Sequence, residues 1–272
     1  MKLFSCGAAD GRLVIYFHGA PGAPEECSLF DHYAQADGLT VVSLDRFAAE
    51  ASLQGEGYFR ALASEILACA GTGQVHFVGF SIGAFVALQT TRHMQGRVAS
   101  LDLISAAAPL QVGNFLPDMA GQQVFLLAGK WPLLFRLLST WQGWLARFAP
   151  GLLFRMLFAS AQAADRQLLA SSQFRQQCIV QLRHCFVGQL PGYLRDVQSY
   201  VQPWSAGLGA IKTPTRIWHG AEDNWSPTAM AGYLGAALPG CEQVTILPGL
   251  SHYSCLQQVV PEVCAAIGAA RG

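Results

Sequence analysis

Gln74-Val75-His76-Phe77-Val78-Gly79-Phe80-Ser81-Ile82-Gly83-Ala84-Phe85-Val86-Ala87-Leu88 decides the architecture. The first five residues form the short apolar run of a covered parallel strand, and the residues from Ala84 through Thr91 continue as a helix with no Gly or Pro. Ser81 therefore sits on a strand-to-helix turn. Such a turn is too tight for side chains two residues to either side, which explains glycine at 79 and 83. A G-x-S-x-G string alone recurs by accident in a glycine-rich chain. The strand before it and the helix after it make this one informative, and Ser81 becomes the candidate nucleophile. A helix beginning at 82 points unpaired N–H groups and the positive end of its dipole at whatever the hydroxyl attacks.

Upstream, Arg12-Leu13-Val14-Ile15-Tyr16-Phe17 reads as a strand running into the turn His18-Gly19-Ala20-Pro21-Gly22. Ligands bind at the C-terminal ends of strands in open α/β sheets. Ala20 has a backbone N–H to give and Pro21 has none, so Ala20 and Ile82 are the expected oxyanion donors. Glu25 and Glu26 open a helix expected to reach Ala36, closed by Asp37-Gly38. A second strand over Thr40–Leu44 ends at Asp45-Arg46, where Asp45 is expected to tie down its loop, and a helix follows from Tyr58 to Ala70. Downstream of the serine, Val98 to Ala107 reads as a strand with Asp102 in its middle. That is too far from the C-terminal end for a catalytic acid.

From Pro109 to Gln202 the alternation of strand and helix stops and several helices rich in Trp, Phe, Leu and Arg are expected. The domain organisation follows: residues 1–108 and 203–272 form a core of mostly parallel, doubly wound α/β sheet, and 109–202 form a helical cap or lid. The stretch from Trp131 to Phe158 is apolar enough to suggest a membrane span. Arg136, Arg147 and Arg155 interrupt it, and no uncharged run reaches the length of about 18 residues that a span needs. Its aromatic side chains serve helix packing or line an acyl pocket; Trp131, Trp141, Trp144, Phe148 and Phe154 are the expected substrate-facing residues. Cys178 and Cys185, on one helical face, are expected in the core.

After this insertion, Thr215-Arg216-Ile217-Trp218-His219 is a strand whose following loop, Gly220-Ala221-Glu222-Asp223-Asn224, delivers an acid to the active face. Val244–Leu247 is the last strand, and Pro248-Gly249-Leu250-Ser251-His252 leads into a helix expected from Cys255 to Ile267. Ser81, Asp223 and His252 thus occur in the chain order expected of a hydrolase triad on a parallel sheet. The chemistry needs each type: a hydroxyl is a poor nucleophile until an imidazole accepts its proton, and a carboxylate fixes the imidazole tautomer. Glu222, one position away, is the alternative acid.

Composition sets the remaining bounds. Of 272 residues 52% are hydrophobic and 12% charged, with formal net charge zero, which describes a globule with a large core. The 17 Lys and Arg are scattered, so nucleic acid is not an expected partner. Seven histidines form no H-x-H or H-E-x-x-H pattern, and no G-x-G-x-x-G or Walker loop occurs; no metal and no cofactor are expected. Eight cysteines without a C-x-x-C, and an N-terminus that reaches Asp10 and Arg12 before any long apolar run, lead to an expected cytoplasmic location with reduced thiols.

The chain resembles the α/β-hydrolase fold superfamily, in particular its cofactor-free serine esterase and acyl-hydrolase branch with a helical cap. The resemblance runs over nearly the whole length. Its marks are His18 to Gly22, Asp45-Arg46, the elbow from Gly79 to Gly83, Gly220-Ala221-Glu222-Asp223 with Pro227, and Gly249-Leu250-Ser251-His252. The stretch Gly192 to Pro214, with Asp196 and Pro203-Trp204, is similar to the family's return from cap to core. Serine at the elbow, where an aspartate would mark haloalkane dehalogenases and epoxide hydrolases, implies an ester, thioester or other acyl centre. The resemblance implies hydrolysis of a small to medium apolar acyl substrate. An acyltransferase, a carbon–carbon bond hydrolase or a non-catalytic ligand-binding member of the fold are the alternatives.

Overall fold

Short apolar runs bounded by glycine or charged turns pair as strands because each must bury both faces and satisfy its backbone. The computed structural model describes residues 1–94 and 96–269. Its strands are β1 (Leu3–Gly7), β2 (Arg12–Phe17), β3 (Leu39–Leu44), β4 (Val75–Phe80), β5 (Val98–Ile104), β6 (Thr215–Gly220) and β7 (Cys241–Leu247), in the sheet order β1-β3-β2-β4-β5-β6-β7. Neighbours run parallel throughout, except that β1 lies antiparallel on β3 with Leu3 opposite Leu44. The sequence reading did not expect β1. An exposed and half-buried edge strand needs no apolar run, so its five residues carry no periodic signal.

The helices are α1 (Asp31–Ala36), α2 (Gly55–Ala70), α3 (Ile82–Thr91), α4 (Gln122–Lys130), α5 (Pro132–Phe148), α6 (Pro150–Leu157), α7 (Asp165–Leu168), α8 (Ser172–Arg183), α9 (Leu190–Tyr200), α10 (Ala229–Ala237) and α11 (His252–Ala269). Alternation along the strands divides the core. Ile15, Phe17, Phe77, Leu101 and Leu103 pack with α2 and α3 on one face. On the other, Val14, Tyr16, Val78, Phe80 and Ile104 pack with Val259, Val263 and Ile267 of α11.

Several elements differ from expectation, among them the starts of α2, β7 and α11, each three residues earlier than expected. The helix expected from Glu25 opens as a tighter 3-10 segment over Pro24–Phe30, where buried Glu26 is drawn inward to accept a 2.7 Å hydrogen bond from the Tyr16 hydroxyl. β5 stops at Ile104, because Ser105 turns to φ 46° while its N–H is held by the Trp218 carbonyl. α10, rich in Ala and Gly, was not expected. Asp102 is a structural group: fully buried in β5, it accepts from Arg216 Nε (2.8 Å), Arg216 Nη2 (2.6 Å) and Trp218 Nε1 (3.1 Å), all on neighbouring β6.

α4 to α9 lie between β5 and β6 in the chain, as helices inserted into an otherwise alternating pattern. Polar contacts from the loop after β3 fasten them to the core. Arg46 Nε donates to Asp196 Oδ2 on α9 (2.7 Å), Arg195 Nη2 donates to the Arg46 carbonyl (2.6 Å), and His184 Nε2 lies 3.0 Å from Asp45 Oδ1. Asp45 therefore ties its loop to the inserted helices. Cys178 and Cys185 are buried there as thiols.

The hydrogen bond to Asp45 raises the His184 pKa above its usual value, against an opposing effect of burial. A raised folded-state pKa gives stability that is complete below the unfolded value, near pH 6.5, and lost as pH climbs through the folded one. The advantage of the wild-type chain over His184→Gln in urea unfolding is expected to be on the order of 1 kcal/mol at mildly acidic pH and to shrink above neutrality. An advantage that is constant or grows with pH contradicts this origin.

Candidate active site

The turn between β4 and α3 holds Ser81 at φ 56° and ψ −127°, a region that L side chains rarely occupy. Its neighbours explain how it persists. The Ser81 N–H donates to the Ile104 carbonyl (3.0 Å), and the Ser81 carbonyl accepts from the N–H groups of Ala84 (3.1 Å) and Ala107 (3.2 Å). A Cβ at Gly83 would stand 2.1 Å from the Phe17 carbonyl oxygen, and one at Gly79 would stand 2.6 Å from the Ala84 Cα. Backbone touches backbone at both positions, so glycine is a requirement of the close approach and not only of the turn. Ile82, the first residue of α3, has an N–H with no intrahelical acceptor.

Asp223 and His252 meet. Their loops follow β6 and β7, and His252 Nδ1 lies 2.8 Å from Asp223 Oδ2 with both side chains almost wholly buried. The other carboxylate oxygen, Oδ1, accepts from the N–H groups of Trp225 (2.8 Å) and Ser226 (2.9 Å). Burial pushes the Asp223 pKa up, but the His252 charge and hydrogen bond, His219 and the Ser226 N–H outweigh it and leave the carboxyl below its usual range. Glu222, the alternative acid, is exposed, and its N–H is bonded to the Leu250 carbonyl.

The His252 ring is held on several sides. Phe80 packs on it with ring centroids 4.8 Å apart, and Trp225 stacks at 5.8 Å with planes inclined by 22°. The His252 carbonyl accepts from Ser105 Oγ (3.2 Å) at the end of β5, beside the turn that holds Ser81. Asp165 of α7 caps α11 by accepting from Tyr253 N (3.2 Å) and Ser254 N (2.7 Å). Among the described residues no hydrogen bond joins Ser81 to His252. The links between them are indirect: Phe80, which precedes Ser81, packs on the His252 ring, and Ser105 bonds the His252 carbonyl.

Sequence reasoning missed Trp225, Asp165 and His219. His219 is fully buried, lies 3.6 Å from Asp223 Oδ2 and donates Nε2–H to the Ser226 carbonyl (2.6 Å); burial lowers its pKa, which keeps it neutral. The one available signal was Asp165 itself, the first acid after a long acid-free stretch of the insertion.

A cavity of about 290 Å³ opens over Ser81. Ala20 and Ile82 border it beside the serine, and Met119, Val124, Phe125 and Trp225 give it an apolar wall. The five aromatic residues expected to face substrate are not in that wall, which is a correction. Trp131, Trp141, Trp144 and Phe148 are between 46% and 63% exposed on the outside of the insertion. Phe154 is buried, packing on Phe158 and Phe174. The reason lies in α5, whose buried side is Phe135, Ser139, Gln142, Leu145 and Ala146 and turns the large aromatic side chains outward. Among the described residues no group of three or more His, Cys, Asp or Glu is arranged to hold a metal ion, and no helix is long and apolar enough to cross a membrane.

Residues 14–267 match the model of the alpha/beta hydrolase family. The chain is 26% identical over 272 residues to a non-heme haloperoxidase of Rhodococcus erythropolis, an alignment covering 93% of this chain and 90% of the relative. It is 28% identical over 196 residues to a pimeloyl-[acyl-carrier protein] methyl ester esterase of Aromatoleum aromaticum, covering 70% of each. In structure it is similar to an esterase from Exiguobacterium antarcticum, with a TM-score of 0.68 at 16% identity over 98% of this chain and 95% of the other. With a serine elbow, a mostly parallel seven-stranded sheet and a family match over nearly its full length, the chain belongs to the alpha/beta hydrolase family and is an enzyme of the hydrolase type.

Proposed function

We propose that the protein is a serine hydrolase that cleaves an ester or related acyl bond of a small to medium apolar substrate, with Ser81 as nucleophile, His252 as general base and Asp223 as its partner. The observation that carries this reading is the His252–Asp223 bond of 2.8 Å beside a strained Ser81 that borders an apolar cavity. In the proposed reaction Ser81 Oγ attacks the acyl carbon and His252 Nε2 takes its proton. The imidazolium then protonates the departing alcohol, and water, activated by the same nitrogen, releases the acid from the acyl-enzyme. The backbone N–H groups of Ala20 and Ile82 are the proposed donors to the oxyanion. Hydrogen bonds between nucleophile and base commonly tighten only with substrate in place, so a missing Ser81–His252 bond is compatible with this scheme.

A cavity of about 290 Å³ suits a small acyl group and is lined by Met119, Ala120, Gly121, Val124 and Phe125, among others, of the segment 109–202, which we take as the cap on a core of 1–108 and 203–272. The esterase relative of Aromatoleum aromaticum supports an acyl ester as the substrate class.

A fluorophosphonate probe is expected to label the wild-type chain and not Ser81→Ala, which should retain its fold and lose at least about 10³-fold in kcat. Labelling or near-normal turnover of Ser81→Ala overturns the serine mechanism. Asp223→Asn is expected to cost about 10⁴-fold in kcat, whereas exposed Glu222→Gln should cost less than about twofold; the reverse ranking moves the acid to Glu222.

Each methylene buried in the cavity is worth about 0.8 kcal/mol, close to fourfold in kcat/KM, until the space is filled. Short- to medium-chain p-nitrophenyl esters are therefore expected to outperform the acetate, and Val124→Trp should erase that gain while changing acetate hydrolysis little. If acetate is the best substrate of the wild-type chain, the cavity is not the acyl pocket.

A further inference from the structure

The outer side of α5 carries the wrong chemistry for water. Leu134, Leu137, Trp141, Trp144 and Phe148 follow one another at spacings of three and four residues, which aligns them along one stripe of a helix, and all five are between 46% and 66% exposed. Leu152 and Met156 of α6, exposed by 42% and 47%, extend the apolar surface beyond it. The stripe that faces the core contains Ser139 and Gln142 and is the more polar of the two. A continuous exposed apolar surface of this kind marks a contact with something apolar.

The charges around it identify the partner. Between Asp118 and Asp165 the sequence contains no Asp or Glu, and its charged residues are Lys130, Arg136, Arg147 and Arg155. All four are exposed, and the ion pairs among the described residues involve none of them. A second copy of the chain docked through this face would bring cations against cations with no acid to answer them. A helix with Trp, Phe and Leu on one side and only cations beside them suits the boundary between acyl chains and anionic headgroups. No described helix is long and apolar enough to span, so the fit is to the plane of that boundary and not to a crossing.

We infer that the outer face of α5 and α6 docks the protein on the surface of a phospholipid bilayer bearing anionic headgroups. Met156 belongs both to this face and to the lining of the cavity over Ser81, so the docked face adjoins the proposed substrate site. Binding itself does not depend on the proposed reaction, and its test reads no turnover.

The whole chain is mixed with sedimentable vesicles, one set of pure phosphatidylcholine and one with about one third phosphatidylglycerol, in about 0.1 M salt. Partitioning onto the anionic vesicles is expected to exceed that onto the neutral ones by at least about tenfold, and to fall steeply when salt is raised to about 1 M. Arg136→Gln with Arg147→Gln should weaken anionic binding by roughly 25-fold, about fivefold for each cation. Leu137→Ser should weaken it by about tenfold with an unchanged circular dichroism spectrum, since the side chain is exposed. Absence of binding to both vesicles, equal binding to both, or insensitivity to salt overturns the proposal without reference to any variant. So does a concentration-dependent dimer in sedimentation velocity that Leu137→Ser dissociates, which assigns the face to a second copy.

Discussion

The start of α3 crosses the C-terminal end of β2 with no room for a single additional carbon. A Cβ at Gly83 would stand 2.1 Å from the Phe17 carbonyl oxygen and 2.3 Å from that of His18, contacts that no side chain tolerates. Because the helix must come that close, the chain cannot leave β4 by a relaxed turn, and the residue between strand and helix is forced to φ 56°. That residue is Ser81. The same approach sets the loop after β2 beside the first turn of α3, so that Ala20 and Ile82 border one cavity. Strain at one residue is thus held by packing of backbone on backbone, supported by hydrogen bonds from Ala84 and Ala107 to the Ser81 carbonyl.

Features fixed by such close approaches were legible in the sequence, since they leave no freedom of residue type. Glycine at 79 and 83, the βα alternation, and the placing of Asp223 and His252 just after strands could all be read from the letters. β1 and α10 could not. An edge strand with an exposed face and a helix of Ala and Gly show no apolar period. Asp165 acts through hydrogen bonds to Tyr253 and Ser254 in a distant segment, and His219 through a bond to the Ser226 carbonyl that only the folded loop creates; the sequence marks Asp165 merely as the first acid after a long gap. The aromatic residues of α5 failed differently. Two stripes run along that helix, and periodicity locates both without saying which one faces inward. The expectation that the larger apolar side chains are inside chose the wrong stripe, because the inner one had to admit Gln142 to the cavity wall and keep Ser139 bonded to the Phe135 carbonyl.

The inserted helices are held by polar contacts at several places, and this explains how an apolar outer surface is compatible with a defined position. Arg46, buried after β3, joins Asp196 of α9 and also donates to the Gly19 carbonyl in the loop that carries Ala20. Asp45 holds His184, and Asp165 holds the first turn of α11. Hydrogen-bonded charges fix direction as well as distance, which apolar contact alone does not. The Arg46 anchor ends at Gly19, next to Ala20, and the Asp165 anchor at Tyr253 and Ser254, next to His252. The insertion and the candidate site therefore share supports: a shift of α9 pulls on the Arg46 guanidinium, and a shift of α7 pulls on the turn that presents the imidazole.

The Asp223 carboxylate shows how the last of these supports is tuned. Oδ1 is taken by the N–H groups of Trp225 and Ser226, so the group cannot rotate, and Oδ2 is left facing both His252 at 2.8 Å and His219 at 3.6 Å. Were His219 protonated, it would compete for the same charge. Complete burial disfavours its cationic form, and its Nε2–H is directed to the Ser226 carbonyl. The negative charge of Asp223 is thereby left to His252, whose Nδ1–H it orients. A buried neutral histidine thus supports the acid by staying uncharged beside it, and the same loop that fixes its proton, Trp225 to Ser226, also supplies the ring stacked on His252.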